Sequence, residues 1–383
     1  MLSDIGFNDN LEVAGRKFHF QTATQSNKGK IRTEIFENGR ILSMAEIDFE
    51  RRKGARAQTV EDRLRSVVES LHQEMIEEVE LLFRISEKVN KLRHSPSNCK
   101  VGQLFLHHNL IDDAIRQFKI AIENDPKNAE AYSLLGQTYI LVGDHVKAVE
   151  ILSKGIQLDA RFTDLHNNYG LALMLSGNYD QSLEEFKQSI KLNRNYLEAH
   201  YNLAMLYFKT TSSRYSDKSI PPPSIRIQRA LEHLSQIKEI RIKVFDTLFS
   251  KIEKLAEKQE FDSIVKLLDD NRRKVFPGDF SRLISNTFYL KFMYGGKGLD
   301  NDTIRRYEHR LNSALEENPD YADVWNNLGV IHLIQCRNLF LQALSEFNRA
   351  LELNPGFEKA IKNKKLVEND GKEFLILLRA ILK

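Results

Sequence analysis

The sequence predicts a mainly α protein: a right-handed α-solenoid of helical hairpins, preceded by a small antiparallel β module and one long helix. Three observations carry this. Small and large residues recur every 34 positions along the middle of the chain. The first fifty residues hold short β-rich runs joined by turn dipeptides. Between these regions, residues 59–93 contain no proline or glycine and keep a regular apolar stripe.

The β module comes first. "KFHFQT" (17–22), "KIRTEIF" (30–36) and "RILSMAEIDF" (40–49) are short and partly alternating. "NG" at 38–39 joins the last two, a strong short-range hairpin signal. The expected sheet spans 11–50 within a 1–58 module and has three or four strands. Such a sheet is marginal alone and needs a cover for one face. The next segment, 59–94, is read as that cover. Leu64, Val68, Leu71, Met75, Leu82, Ile85, Val89 and Leu92 fall on alternating four- and three-residue steps, interrupted by Glu78. Two packings fit this seam: a helix laid on the sheet and the first hairpin, or a coiled coil that forms a homodimer through 64–92.

The repeat follows. Gly102, Gly136, Gly170 and Ala204 are 34 apart. Ala114, Ala148 and Ser182 keep the same period, as do Phe118, Leu152 and Phe186, and Ala121, Gly155 and Ser189. Each unit reads as two amphipathic helices broken by a turn such as "VGD" (142–144), with a proline such as Pro126 closing the unit. The small residues let paired helices approach and the large ones fill the gap. This pattern resembles the tetratricopeptide repeat family over about 95–208. It returns at 322–356 in Trp325, Leu328, Gly329, Ala343, Phe347, Ala350 and Pro355, with the inter-helix turn about two residues too long.

Around the repeats, "KTTSSRYSDKSIPPPS" (209–224) reads as a flexible linker. Residues 225–321 return to helical periods and are read as divergent hairpins, either continuing the solenoid or forming a separate insert. The tail, 357–383, with Phe374, Leu377, Leu378 and Ile381, is expected to cap the last unit, because a terminal hairpin has no neighbour to cover it.

The composition excludes several function classes. Fifty-six basic against 53 acidic residues leave a net charge of +3. A dedicated nucleic-acid binder needs a clustered basic excess instead. No apolar run reaches the roughly 20 residues that span a bilayer. No secretory signal is visible at the N-terminus. Two distant cysteines, Cys99 and Cys336, give no disulfide framework. The expected location is cytoplasmic. No cofactor, metal or catalytic motif emerges. "GGKG" (295–298) lacks the spacing of a phosphate loop. His107 and His108 are adjacent and diverge on a helix, so one face cannot offer both to a metal. "RRKGAR" (51–56) reads as a solvated basic linker. The chain is therefore expected not to be an enzyme.

The resemblance implies a binding site. In that family the first helix of each unit lines the concave face, and the residue two before the glycine points into the groove. Here this gives Asn168, Asn202 and Asn327, with Leu134 in the second unit. The next groove positions are Gln103, Gln137, Leu171, Met205 and Val330. One side is acidic: Glu130, Asp164, Glu198 and Asp323. An asparagine amide carries an acceptor and two donors, so a column of them can pair with a peptide backbone. The expected partner is a protein or peptide segment with apolar and basic residues, held by a scaffold or adaptor. The alternative is a regulatory or non-catalytic subunit of an enzyme complex.

Overall fold

The computed structural model describes residues 4–25, 27–48, 57–217, 219–240, 242–276, 286, 290, 294, 301–317 and 322–381. "RRKGAR" (51–56) and "GGKG" (295–298) lie outside them.

Four antiparallel strands form a meander: β1 (Gly6–Val13), β2 (Arg16–Gln25), β3 (Lys30–Glu37) and β4 (Arg40–Asp48). Asn38 and Gly39 both adopt positive φ and pair Glu37 with Arg40 across the turn, as the "NG" signal requires. Ala14 and Gly15 make the same kind of turn before β2. Phe18, Phe20, Thr22 and Thr24 on β2 and Ile31, Thr33 and Ile35 on β3 alternate onto one buried face. The long helix α1 (Ala57–Leu92) covers that face. Leu64 and Val68 pack with Ile5 and Ile31, and Val79, Leu82, Ile85 and Val89 join the main core. The seam is thus spent on the chain's own sheet and first hairpin. This favours the first of the two packings for the seam: Leu64, Val68, Leu82, Ile85 and Val89 are buried within the chain, Leu71 and Met75 are half-buried, and Leu92 is exposed.

Phe83 on α1 ties three elements together. Its ring lies 5.7 Å from Phe18 of β2 and 5.1 Å from Phe105 of α2 (Ser95–His107). Arg16 stacks over the same cluster and grips Glu37 with two bonds of 2.6 and 2.7 Å. It also pairs with Asp113 on the first unit's second helix, α3 (Ile111–Asn124). Sheet, long helix and solenoid share one core.

Four hairpins follow: α2 with α3, α4 (Ala129–Leu141) with α5 (His145–Leu158), α6 (Thr163–Leu175) with α7 (Tyr179–Leu192), and α8 (Leu197–Ser212) with α9 (Pro223–Ile240). The turn inside each of the first three places one residue at positive φ: Asn109, Gly143 and Gly177, again 34 apart. Only glycine, or asparagine at small cost, sits there without strain.

Two segments depart from expectation. The stretch between α8 and α9 is a pinned loop. Arg226 is buried, and its guanidinium donates to the carbonyls of Thr210, Tyr215 and Pro221 at 2.6–2.7 Å, with Ile220 buried beside it. One arginine replaces the flexibility that the serine and proline content implied; Lys218 lies outside the described residues. Farther on come α10 (Ile242–Glu257), α11 (Phe261–Val275) and α12 (Asn301–Glu317). Then α13 runs unbroken from Ala322 to Leu353 and packs on α14 (Glu358–Ile381). The expected turn inside 322–356 is absent. Residues 333–342, "LIQCRNLFLQ", hold no glycine or proline, so nothing stops the helix. The side chains of Phe374, Leu377, Leu378 and Ile381 lie outside the described residues.

Candidate functional site

The first helices α2, α4, α6 and α8 stand side by side, each touching the next. Their shared face is the expected groove. The paired asparagines do not simply line it. Asn168 on α6 donates to the Ser133 hydroxyl on α4 at 3.0 Å. Asn202 on α8 donates to the Asn167 side-chain oxygen on α6 at 2.8 Å. One unit on, the same bond is repeated. The first asparagine of the pair accepts from the following unit and the second donates to the preceding one. The amides clasp neighbouring first helices, and both Asn168 and Asn202 are buried.

The chain's own residues cover both ends of the row. At the far end, α11 packs on α8. Arg272 stacks 5.3 Å over the Tyr201 ring and donates to the Asn202 side-chain oxygen. The Tyr201 hydroxyl in turn donates to the Leu268 carbonyl. Burial lowers the Arg272 pKa and raises that of Tyr201. Asn202 is 0% exposed. A peptide backbone reaches it only if Arg272 moves, which corrects the expectation that this amide is presented to a ligand. Met205 is buried as well. At the near end, Asn286, Leu290 and Tyr294 are helical residues four apart that seat on α2. Asn286 donates to Gln103 at 2.6 Å and accepts from Lys100 at 3.3 Å. The Tyr294 hydroxyl shares a 2.8 Å bond with Ser97, and Leu290 is fully buried in the main core.

Between these ends, α4 and α6 keep an open stretch. Leu134, Gln137 and Leu141 follow one another by three and four residues on α4, as Asn168, Leu171 and Leu175 do on α6, so each trio shares a helix face. Gln137 is exposed, Leu171 half-buried, Leu141 54% exposed and Leu175 37% exposed. Asp164 and Glu198, half-buried, stand in the first turns of α6 and α8, at the other end of the row from Leu141 and Leu175. Asn327 is buried on α13, which shares a separate cluster with α12 that includes Ile304, Leu311, Leu315, Val324, Leu328 and Ile331. The sequence pattern found the row but missed Leu141, Leu175 and the covering residues. The two leucines were legible from their i, i+4 spacing to Gln137 and Leu171. Arg272 and Asn286 were not, because no local pattern links them to the groove.

Models of the tetratricopeptide repeat match residues 118–150, 170–210 and 308–356. The chain carries tetratricopeptide repeats. Among curated proteins, Protein bimA of Emericella nidulans is 34% identical over 85 residues. That match covers 22% of this chain and 10% of bimA, so the chain spans about a tenth of that relative. Among solved structures, MamA is similar with 18% identity and a TM-score of 0.36, covering 44% of this chain and 94% of that one. YrrB, described as a TPR protein with an unusual peptide-binding site, shows 15% identity and a TM-score of 0.31 over 63% of this chain and 95% of its own. Tetratricopeptide repeats are typically non-catalytic protein-interaction modules, and stacked repeats build extended concave surfaces suited to that role. Among the described residues, no three of His, Cys, Asp and Glu gather as a metal ion requires, and no helix is long and apolar enough to cross a membrane.

Proposed function

We infer that the protein is a non-catalytic interaction scaffold or adaptor that binds a segment of a partner protein along the open stretch of α4 and α6. The observation that supports this is the pair Leu141 and Leu175. They stand on neighbouring first helices, exposed, beside an exposed amide at Gln137, with the half-buried acids Asp164 and Glu198 at the other end of the helix row. A ligand for this surface carries apolar side chains for the leucines and lysine or arginine for the acids. Its backbone can still pair with Gln137, whereas Asn168 and Asn202 act mainly by holding the helices in register. The near-balanced charge supports a protein ligand rather than a nucleic acid. The cysteines, Cys99 and Cys336, form no disulfide, which supports a cytoplasmic location. The second reading, a non-catalytic subunit of an enzyme complex, uses the same surface and differs only in what is bound.

The test begins with affinity capture of partners from native lysate, followed by titration of the recovered protein. Leu141→Glu with Leu175→Glu removes the apolar contact while leaving exposed positions exposed. Asp164→Lys with Glu198→Lys reverses the flank, and its effect should shrink as salt screens exposed charges. Loss of binding in both, at unchanged helicity and melting, supports the reading. Wild-type affinity in both rules out this stretch. An enzyme among the captured proteins, with turnover altered by the scaffold, selects the second reading.

A further inference from the structure

The first three hairpins close by one lock. A glycine on the first helix faces a large side chain sixteen residues later: Gly102 faces Phe118, Gly136 faces Leu152, and Gly170 faces Phe186. A Cβ on these glycines would lie 2.4, 2.3 and 2.8 Å from the facing side chain. The last unit carries the same lock in its sequence, as Gly329 and Phe347, inside a stretch that matches a tetratricopeptide model. There the two residues lie eighteen apart on a single helix, α13, about 27 Å along its axis at the usual rise per residue. They cannot touch. Among the described residues, a Cβ on Gly329 would meet nothing within 4 Å. Trp325, one turn earlier, is 54% exposed, while its counterparts Asn98, Tyr132, His166 and His200 are all buried. Phe347, on the far half of α13, is half-buried.

We propose that α13 is the exchanged arm of a homodimer. It pairs antiparallel with α13 of a second copy, so that Phe347 of each chain seats on Gly329 of the other and both last units close. The occupant follows from the lock itself. The notch and the side chain that fits it belong to one chain and match the pairs that close the first three units. Cis closure is opposed by the hinge, because "LIQCRNLFLQ" offers a turn only Asn338 among residues at ease with positive φ. When such a hinge stays helical, the complementary half is supplied by an identical copy, which is the logic of domain swapping. Asn338 lies midway between Gly329 and Phe347 along α13, so the two-fold axis crosses at its level, on the face opposite its side chain.

The test uses the full chain with Cys99→Ala and Cys336→Ala, to which Gly329→Cys and Phe347→Cys are added. Oxidation should give a covalent dimer on a non-reducing gel, absent from either single variant and reversed by reductant. A disulfide within one chain means that the unit closes on itself and overturns the proposal. Absence of any disulfide overturns it as well. Light scattering on the unaltered protein is independent of these substitutions. It should report twice the chain mass at high micromolar concentration, and Asn338→Pro, which cannot continue the helix, should return the mass to that of one chain. A wild-type monomer at that concentration, or a dimer indifferent to Asn338→Pro, sinks the idea.

Discussion

Asn167 and Asn168 are neighbours in sequence that serve opposite neighbours in space. One accepts from α8 and the other donates to α4. The sequence made the pair visible and left its direction open, since an amide's partner depends on which helix stands beside it. The small-to-large lock was fully legible, because sterics alone demand it. We expect Gly136→Ala to destabilise the fold by roughly 1–3 kcal/mol, the usual cost of overpacking, since its Cβ would meet Leu152. Gly329→Ala should leave the melting of the isolated chain unchanged or slightly raised. Urea titrations of both variants at low protein concentration check the contrast. Two histidines on α8 and α9, His200 and His233, meet ring to ring with their Nδ1 atoms 2.8 Å apart. Burial, together with the His200 charge, pulls His233 down to about 4, below its ordinary value of about 6.5. A base whose folded pKa is lowered stabilises the fold above its unfolded pKa. That contribution fades as pH falls from about 6.5 towards 4 and is worth on the order of 3 kcal/mol. His166 has the opposite sign: its bond to Glu185 raises its pKa, so its contribution is present below about 6.5 and lost on going up through the raised value. Melting temperatures from pH 7 to 4.5 should fall less steeply in His233→Leu than in wild type. Parallel slopes would show that the pair does not set acid stability.

Helices with strong apolar periods were readable as elements; their partners were less so. The α1 stripe is as regular as a coiled-coil seam, yet the sheet it covers supplies the holes for it. β1 went unread because "GFNDNLEV" is mostly polar, as an edge strand with one solvated face can be. The 209–224 loop looked flexible by composition, and a single long-range group, Arg226, overrides that composition. Arg226→Ala should leave three carbonyls without their donor and cost roughly 1–3 kcal/mol. Trypsin should then cut after Arg214 well before it touches 129–196, whereas wild type should resist at that site. A wild-type chain nicked first at Arg214 would mean that the arginine does not hold the loop.

The whole chain divides by its cores. Sheet, α1 and the first hairpins share one cluster, and α12 and α13 have another of their own. Phe83→Ala, at the meeting of sheet, long helix and α2, should cost about 3–5 kcal/mol and loosen all three together. Hydrogen exchange should show 16–48 and 95–124 losing protection in step, with 301–353 unaffected. The cross-chain coverings, Arg272 on Asn202 and Asn286 on Gln103, are visible only at this scale, since they join residues 70 and 183 apart. The amide clasps have a mechanical consequence. They tie α4 to α6 and α6 to α8 on the concave side, where any unbending of the arc must stretch them. Between α2 and α4 the donor's place is held by Leu134, which has no amide to give. That joint is tied instead by Asn128, the N-cap of α4, which donates to Ser95 on α2 at 2.7 Å. Asn168→Ala with Asn202→Ala should broaden the distance distribution between spin labels on α4 and α8, and an unchanged distribution would show that the clasps do not hold the arc. The curvature of α4, α6 and α8 is thus braced by side-chain amides, like cross-stays on a bent bow.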